Sequence, residues 1–377
     1  MSPLKSAEVL SKLISFPSIA GQPNVHIVGW VRDILEAAGA RVTVVPGPEG
    51  DRHNLFASMG PTGGRGIVLS GHLDVVPAGE PDWKTDPFKL SQDGEKLHGR
   101  GACDMKGFIA AALSFMTRID AGRLTEPLHL ALSYDEELGC RGVPHLVARL
   151  PELCAPPIVC IVGEPTELRP VLAHKGKMAW EIAIHGRSGH SARPELGLNA
   201  IHGMGRILMS IEAAAEALSR DVLDAGFEPP YSTMQAGVIG GGRAVNVIPE
   251  RCSVEIEVRA LPSQLPEDLF VPVLGELRQL EKAGYRVEQT IMSRYPGFSL
   301  PRNSKVVELV EAAAGNKCRP AVSFGTEAGL FQQAGWSVVV CGPGDMGRAH
   351  KANEYITVGE LEQCDQFLHA LTQEIMR

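Results

Sequence analysis

The chain reads as an α/β protein with a smaller α+β unit inserted into a larger sheet that helices cover. Three observations lead there. Fully apolar runs of strand length alternate with helix-period segments up to about residue 175; near residue 176 the strands turn to strict apolar/polar alternation; after Pro301 the first pattern returns. Fully apolar strands belong to sheets buried on both faces, and alternating ones to sheets with one covered face. The expected division is 1–176 and 291–377 for the larger domain, with 177–290 inserted.

The elements follow in order. Residues 7–16 predict a helix stopped by Pro17. Residues 25–38 carry Val28, Val31, Ile34 and Leu35 at helical spacing and end at Gly39. Strands are expected over 41–45, 54–58 and 66–70, a helix rich in Ala, Phe and Leu over 105–119, and buried strands over 128–134 and 158–162. In the insert, Met178, Trp180, Ile182 and Ile184 alternate with less apolar neighbours. A helix over 199–218, strands over 232–239 and 253–259, a helix over 266–283 and a strand over 285–292 complete β-α-β-β-α-β, the order of a ferredoxin-like unit. Helices over 304–315, 326–334 and 359–376 and a strand over 336–341 finish the larger domain.

Bulk properties exclude several function classes. Of 377 residues, 44% are hydrophobic, enough for a sizeable core; 36 basic and 44 acidic residues leave a net charge of −8. No basic run occurs, which argues against nucleic acid as a partner. Eight scattered cysteines form no C-x-x-C pair and read as reduced thiols. The start MSPLKSAEVL does not read as a secretory signal, and no apolar run reaches the length of a membrane span. The expectation is a soluble cytoplasmic protein that meets no membrane.

The chemistry sits beside the strands. His72 follows the 66–70 run, Glu136 and Glu137 follow 128–134, Glu164 follows 158–162, and His350 lies after 336–341; Asp104 precedes the 105–119 helix. Ligands of open α/β sheets bind outside the carboxyl ends of the strands. Any one of these residues alone reads as a solvated turn, a helix cap or a core histidine. Their joint placement does not. Together they offer hard oxygen and imidazole donors for two divalent ions and one spare carboxylate, with no thiolate, as a catalytic rather than a structural site would. Paired ions need a bridging carboxylate and lower the pKa of water toward about 7. The adjacent glutamates suit a division of labour, one on metal and one on water. Asp74, two residues from His72, suits the acceptor of the other ring N–H.

The runs SGHLDVVP (70–77), GRGACDMKG (99–107), DEELG (135–139), VGEPT (162–166), GRSGHSA (186–192) and GPGDMGRAHKANEY (342–355) resemble the M20 dizinc metallopeptidase/deacylase family, its acetylornithine deacetylase branch above all. The likeness spans the chain from first helix to last. It implies a zinc-peptidase-like mixed sheet flanked by helices and two divalent ions, Zn2+ first and Co2+ as the other choice. It implies that His72, Asp104 and Glu164 hold one or the other ion with Asp104 bridging, that Glu137 and His350 fill the remaining positions, that Glu136 is the general acid/base, and that Asp74 orients His72. It also implies a cis peptide after Asp104. The inserted unit resembles the family's lid and dimerisation domain, which implies a homodimer in which His190 reaches the partner subunit's active site. Gly186 and Gly189 form a turn able to present that imidazole. Asn246 and Arg259 match lid positions that contact substrate, although Arg259 also reads as a plain strand-end charge.

Two rivals come from other classes. Residues 342–347 (GPGDMG) fit G-x-G-x-x-G, the mark of a nicotinamide-dependent dehydrogenase, but Arg348, His350, Lys351, Asn353 and Glu354 follow where an apolar helix is needed. A non-catalytic relative would lack the water-activating carboxylate, and Glu136 is present. Serine hydrolysis lacks its G-x-S-x-G elbow. The substrate implied is a small N-acyl amino acid. Thr326 and Glu327 in FGTEAGL (324–330) resemble the branch that removes acetyl from N2-acetylornithine rather than the branch that removes succinyl from succinyl-diaminopimelate. Glu327 would favour a cationic side chain, or else cap the 326–334 helix.

Overall fold

The structure, a computed structural model, describes residues 5–376. The chain divides into two units. The larger runs up to Leu172 and adds Leu300–Pro320 and the chain from Thr326 onward; the smaller is Ala173–Ser299 with Ala321–Gly325.

A six-stranded mixed sheet organises the larger unit. Its order is Arg41–Pro46, His53–Met59, Leu128–Ser133, Ile67–His72, Val159–Pro165 and Val338–Gly342. The last four strands run parallel, so their carboxyl ends share one edge. The first two strands pair antiparallel with each other, and the second pairs antiparallel with Leu128–Ser133. Both inner strands Leu128–Ser133 and Ile67–His72 are buried at every position, as expected of mainly apolar strands covered on both faces. Helix Lys106–Met116 is buried all round, packed between helices Ser6–Ile14 and Val358–Thr372. Gly163 permits its close approach to the sheet, because a Cβ there would meet the Phe108 ring at 2.0 Å. Three short strands missed by periodicity, Ser91–Asp93, Lys96–His98 and Tyr355–Thr357, form a separate small sheet. At three residues or fewer they hold too little pattern to read.

The smaller unit is a four-stranded antiparallel sheet in the order Thr233–Gly241, Arg251–Ala260, Gly176–His185, Arg286–Tyr295. Numbered along the chain this is 2-3-1-4, the ferredoxin-like arrangement. Strand Arg251–Ala260 alternates buried and half-buried residues along its length. Val254, Ile256 and Val258 face a core shared with Ile207 and Ile211 of helix Ala200–Leu218 and Val273 and Leu277 of helix Val271–Lys282. Asn199 caps the first helix, accepting from the N–H of Ile201 at 2.9 Å. The single helix expected over 266–283 is two, Pro266–Leu269 and Val271–Lys282, with Pro272 in the first turn of the second. Proline lacks the N–H that continuity needs and suits a helix start. This unit extends past 177–290 because strand Arg286–Tyr295 runs further and the short pair Ala173–His174 and Phe298–Ser299 closes it. Among the described residues no helix is long and apolar enough to cross a membrane.

Candidate active site

The shared carboxyl edge of the parallel strands gathers the predicted residues of the larger unit. His72 ends its strand, Glu164 is the penultimate residue of its own, Glu136 and Glu137 follow Ser133 by three and four residues, and His350 stands in the loop after Gly342. Asp104 lies two residues before helix Lys106–Met116, and the Asp104–Met105 peptide is cis. Six non-glycine residues adopt positive φ among the described residues: Asp135, Cys140, Glu167, Leu168, His350 and Asn353. Each lies within four positions of Glu136, Glu137, Glu164 or His350, or is one of them. Such backbone clusters where function over-determines geometry.

Asp104 is central. Its Oδ1 lies 3.2 Å from His72 Nε2, and its Oδ2 lies 3.4 Å from His350 Nε2. Glu164 stands on the His72 side, its Oε1 3.8 Å from Nε2, and Glu137 on the His350 side at 3.0 Å. Two donor triads result, His72/Asp104/Glu164 and Asp104/Glu137/His350, with the donor atoms of each within 4.8 Å of one another. One carboxylate oxygen faces each triad. Glu136 belongs to neither triad, and its Oε1 accepts a hydrogen bond from the Cys140 thiol at 3.3 Å.

Electrostatics tests whether these residues fit cations. Burial and the neighbouring carboxylates Glu137, Glu327 and Asp74 push the Glu136 carboxyl up to about 8. Burial and Asp104 push Glu164 well above its ordinary range. Hydrogen bonds to Asp104 and Glu137 raise the His350 imidazole to about 10. Burial opposes ionisation of Asp104, but the His350 and His72 imidazoles hold it far below the usual carboxylate range. The centre therefore packs more carboxylates than its imidazoles can offset. Two divalent cations on oxygen and imidazole donors relieve the same repulsion. The residues fit a dinuclear centre.

One expectation is corrected. The Asp74 carboxylate does not take the other ring N–H of His72: the nearer acceptor is the Asp74 backbone carbonyl, 2.9 Å from Nδ1, with the carboxylate at 3.6 Å. The carboxylate instead accepts the backbone N–H groups of Glu136 at 3.2 Å and Glu137 at 3.1 Å. Asp74 thus orients His72 through its main chain and fixes the glutamate pair through its side chain. Asp135 adds to the same turn, accepting from Gly21 N–H at 2.7 Å and pairing with Arg52.

Thr326 is buried and its Oγ accepts from Ala328 N–H at 3.0 Å, which caps helix Ala328–Gln333. Glu327 makes no capping bond. It is 2% exposed, with Oε1 unpartnered, and burial pushes its carboxyl up to about 7. Its charge acts on Glu136, so it is buried beside the centre.

The remaining predicted residues belong to the smaller unit. His190 is exposed in the short strand Gly189–His190, which pairs with Val247–Ile248. That pairing brings it beside exposed Asn246, whose carbonyl accepts from Ser191 N–H at 3.1 Å. Arg259 is engaged by the Glu257 carboxylate at 2.9 Å and the Tyr295 hydroxyl at 3.1 Å.

Two buried residues escaped the sequence reading, Arg100 and Glu354, which pair at 2.9 Å. Each stands four positions from a predicted ligand, Arg100 before Asp104 and Glu354 after His350, and that proximity was the only signal.

Comparison with known proteins agrees with this geometry. Residues 68–374 match the profile of Peptidase family M20/M25/M40. The chain is 38% identical over 368 residues to an acetylornithine deacetylase from Myxococcus xanthus, covering 95% of this chain and 94% of that protein. Its fold is similar to an M20 family metallo-carboxypeptidase from Sulfolobus solfataricus, with a TM-score of 0.78 at 18% identity over 98% of both chains. It is also similar to a dinuclear metal-binding M20 peptidase from Bacillus subtilis, with a TM-score of 0.64 at 16% identity over 98% of this chain and 97% of that one. The chain belongs to peptidase family M20/M25/M40, and it is a metal-dependent hydrolase of amide bonds.

Proposed function

We propose that the protein removes the acetyl group from N2-acetyl-L-ornithine, giving L-ornithine and acetate. The observation that carries the chemistry is Asp104, whose two oxygens face separate donor triads while Glu136 stands outside both. The acyl group and amino acid rest on the likeness to relatives named for that reaction. His72, Asp104 and Glu164 would hold one divalent ion and Asp104, Glu137 and His350 the other. Zn2+ suits these donors, as does Co2+. Bound ions would polarise the scissile carbonyl and acidify water.

The chain's own residues do the rest. Glu136 takes the proton of the attacking water and hands it to the departing amine nitrogen, so that ornithine leaves neutral at that atom. Asp74 holds the glutamate pair in place through two backbone N–H groups. His190 donates a hydrogen bond to the carbonyl oxygen as it gains charge, acting in the partner subunit's centre of a homodimer. Its exposure, and the exposed apolar side chains Met209, Val238 and Ile239 of the same unit, support a role at such an interface. Asn246 and Arg259 would bind the substrate. Eight unpaired cysteines suit a reducing, cytoplasmic setting.

The test is a panel of N-acyl amino acids offered to metal-free protein reloaded with Zn2+ or Co2+. N2-acetylornithine should give the highest kcat/KM, and chelation should abolish turnover. Faster turnover of succinyl-diaminopimelate, acetylcitrulline or acetylmethionine would overturn the substrate assignment. Full activity without metal would overturn the mechanism.

A further inference from the structure

Arg100 and Glu354 are both about 1% exposed and lie 254 positions apart in the chain. A buried ion pair is weak support for stability, because the cost of desolvating both charges roughly cancels their attraction. The partners of this pair point to another role. Glu354 is saturated with donors. Its Oε1 accepts the backbone N–H groups of Cys103 at 2.9 Å and Asp104 at 3.0 Å; its Oε2 accepts Gly101 N–H at 3.0 Å and Arg100 Nη1 at 2.9 Å. The N–H of Asp104, the residue shared by both triads, is thus tied to a side chain four positions beyond His350. Gly101 sits at φ +80°, the left-handed region that lets the loop curl around the carboxylate.

Arg100 extends the tie to a third loop. Its Nη1 donates to the Lys351 carbonyl at 3.2 Å, one residue past His350. Its Nη2 donates to the Pro77 carbonyl at 3.2 Å and to Glu80 Oε1 at 2.5 Å, in the segment that follows His72 and Asp74. Strand pairing of Tyr355 with His98 brackets the pair, with Gly99 N–H donating to the Glu354 carbonyl at 3.0 Å.

We propose that the Arg100–Glu354 pair is a positioning device for the dinuclear centre. It sets the Asp104 backbone against the loop that carries His350, and so fixes the spacing of the donors that share one ion. Neither side chain belongs to a donor triad. The inference rests on the two-ion reading of the site. Residues that orient metal ligands from behind typically change metal affinity by roughly 10–100-fold when altered.

Four metal-free proteins test it: wild type, Glu354→Gln, Glu354→Asp and Arg100→Lys. Each is titrated with Co2+, followed by calorimetry and by the visible absorption of the bound ion, and each is melted without metal. Glu354→Gln keeps the size but turns an amide N–H toward backbone donors. We expect its Co2+ affinity to fall by roughly 10–100-fold with an altered visible spectrum. Glu354→Asp, which keeps the charge, should lose less. A merely structural pair would lower the metal-free Tm and leave Co2+ affinity and spectrum at wild-type values, and that result overturns the proposal. Should Glu354→Gln fail to fold, Arg100→Lys decides. It keeps the charge but loses the fork that reaches Pro77, Glu80 and Lys351, so wild-type Co2+ binding in that variant also overturns it. Failure of the wild-type protein to bind Co2+ would instead overturn the two-ion reading itself.

Discussion

The two units bury charge to different degrees. The larger buries His72, Asp104, Glu164, Arg100 and Glu354, each at most 5% exposed, around one sheet edge. The smaller buries the apolar row Val254, Ile256 and Val258 and leaves Glu255 and Glu257 on the uncovered face of the same strand. Burying a charge is costly unless a partner compensates it. The larger unit supplies partners from several loops, whereas the smaller follows the ordinary division of a half-covered sheet. The difference separates a scaffold that gathers charge around one centre from a sheet that follows ordinary packing, and it tells where most substitutions should cost activity and where most should cost stability.

The largest effect expected is on Glu136. Glu136→Gln keeps the shape and loses the proton acceptor, so kcat should fall by roughly 10²–10⁴ while elemental analysis finds the ions retained. Glu137→Gln should lower ion content instead. If the two phenotypes were exchanged, the roles within the pair would be reversed, and the position of Glu136 outside both triads would lose its meaning.

Next is His190, the smaller unit's one proposed contribution to chemistry. Loss of an oxyanion donor costs roughly 10²–10³ in kcat, and His190→Ala should show that with ion binding unchanged. Mixing His190→Ala chains with Glu136→Gln chains sharpens the comparison. In a dimer that shares His190 across subunits, one site of each mixed pair is intact and activity returns. Verified subunit exchange without recovery would mean that His190 works within its own chain, or not at all.

The smallest effect crosses both units. His129 in the larger and His174 in the smaller are each held down to about 4, first by burial and then by Arg41 and Arg259 respectively. Both folded values lie below the unfolded value of about 6.5, so the unfolded chain binds protons that the folded chain refuses. The two imidazoles' contribution to stability is complete above about pH 6.5 and falls as pH drops toward 4. Melting curves of wild type and His129→Gln across that window should diverge, the wild type losing more Tm than the variant as pH falls. The same pH dependence of Tm between 6.5 and 4 in wild type and His129→Gln would contradict the burial of the His129 imidazole.

Much of the site was legible because buried parallel strands are. The runs ending at Ser70, Tyr134 and Val162 marked strand ends, and the carboxyl-edge rule then joined His72, Glu136 and Glu164. Asp74 was half read. Its nearness to His72 was visible, but nothing in the sequence tells whether a ring N–H meets a carbonyl or a carboxylate of the same residue, since rotamers settle that. In sequence Glu327 reads either as a contact to a cationic substrate group or as a helix cap; that it is buried and makes no capping bond is set by segments distant in sequence.

Local chemistry determined the elements themselves: apolar period, proline and glycine placement, and the separation of a half-covered sheet from a fully covered one. These depend on neighbours a few residues apart, so the chain alone expresses them. Tertiary structure alone decided which charges meet. Arg100 finds Glu354 across 254 positions, and Asp104 divides its oxygens between histidines from opposite ends of the chain. Pairing of that kind depends on distances set by the packed sheet and its loops, and a buried charge is tolerable only where those distances deliver a partner.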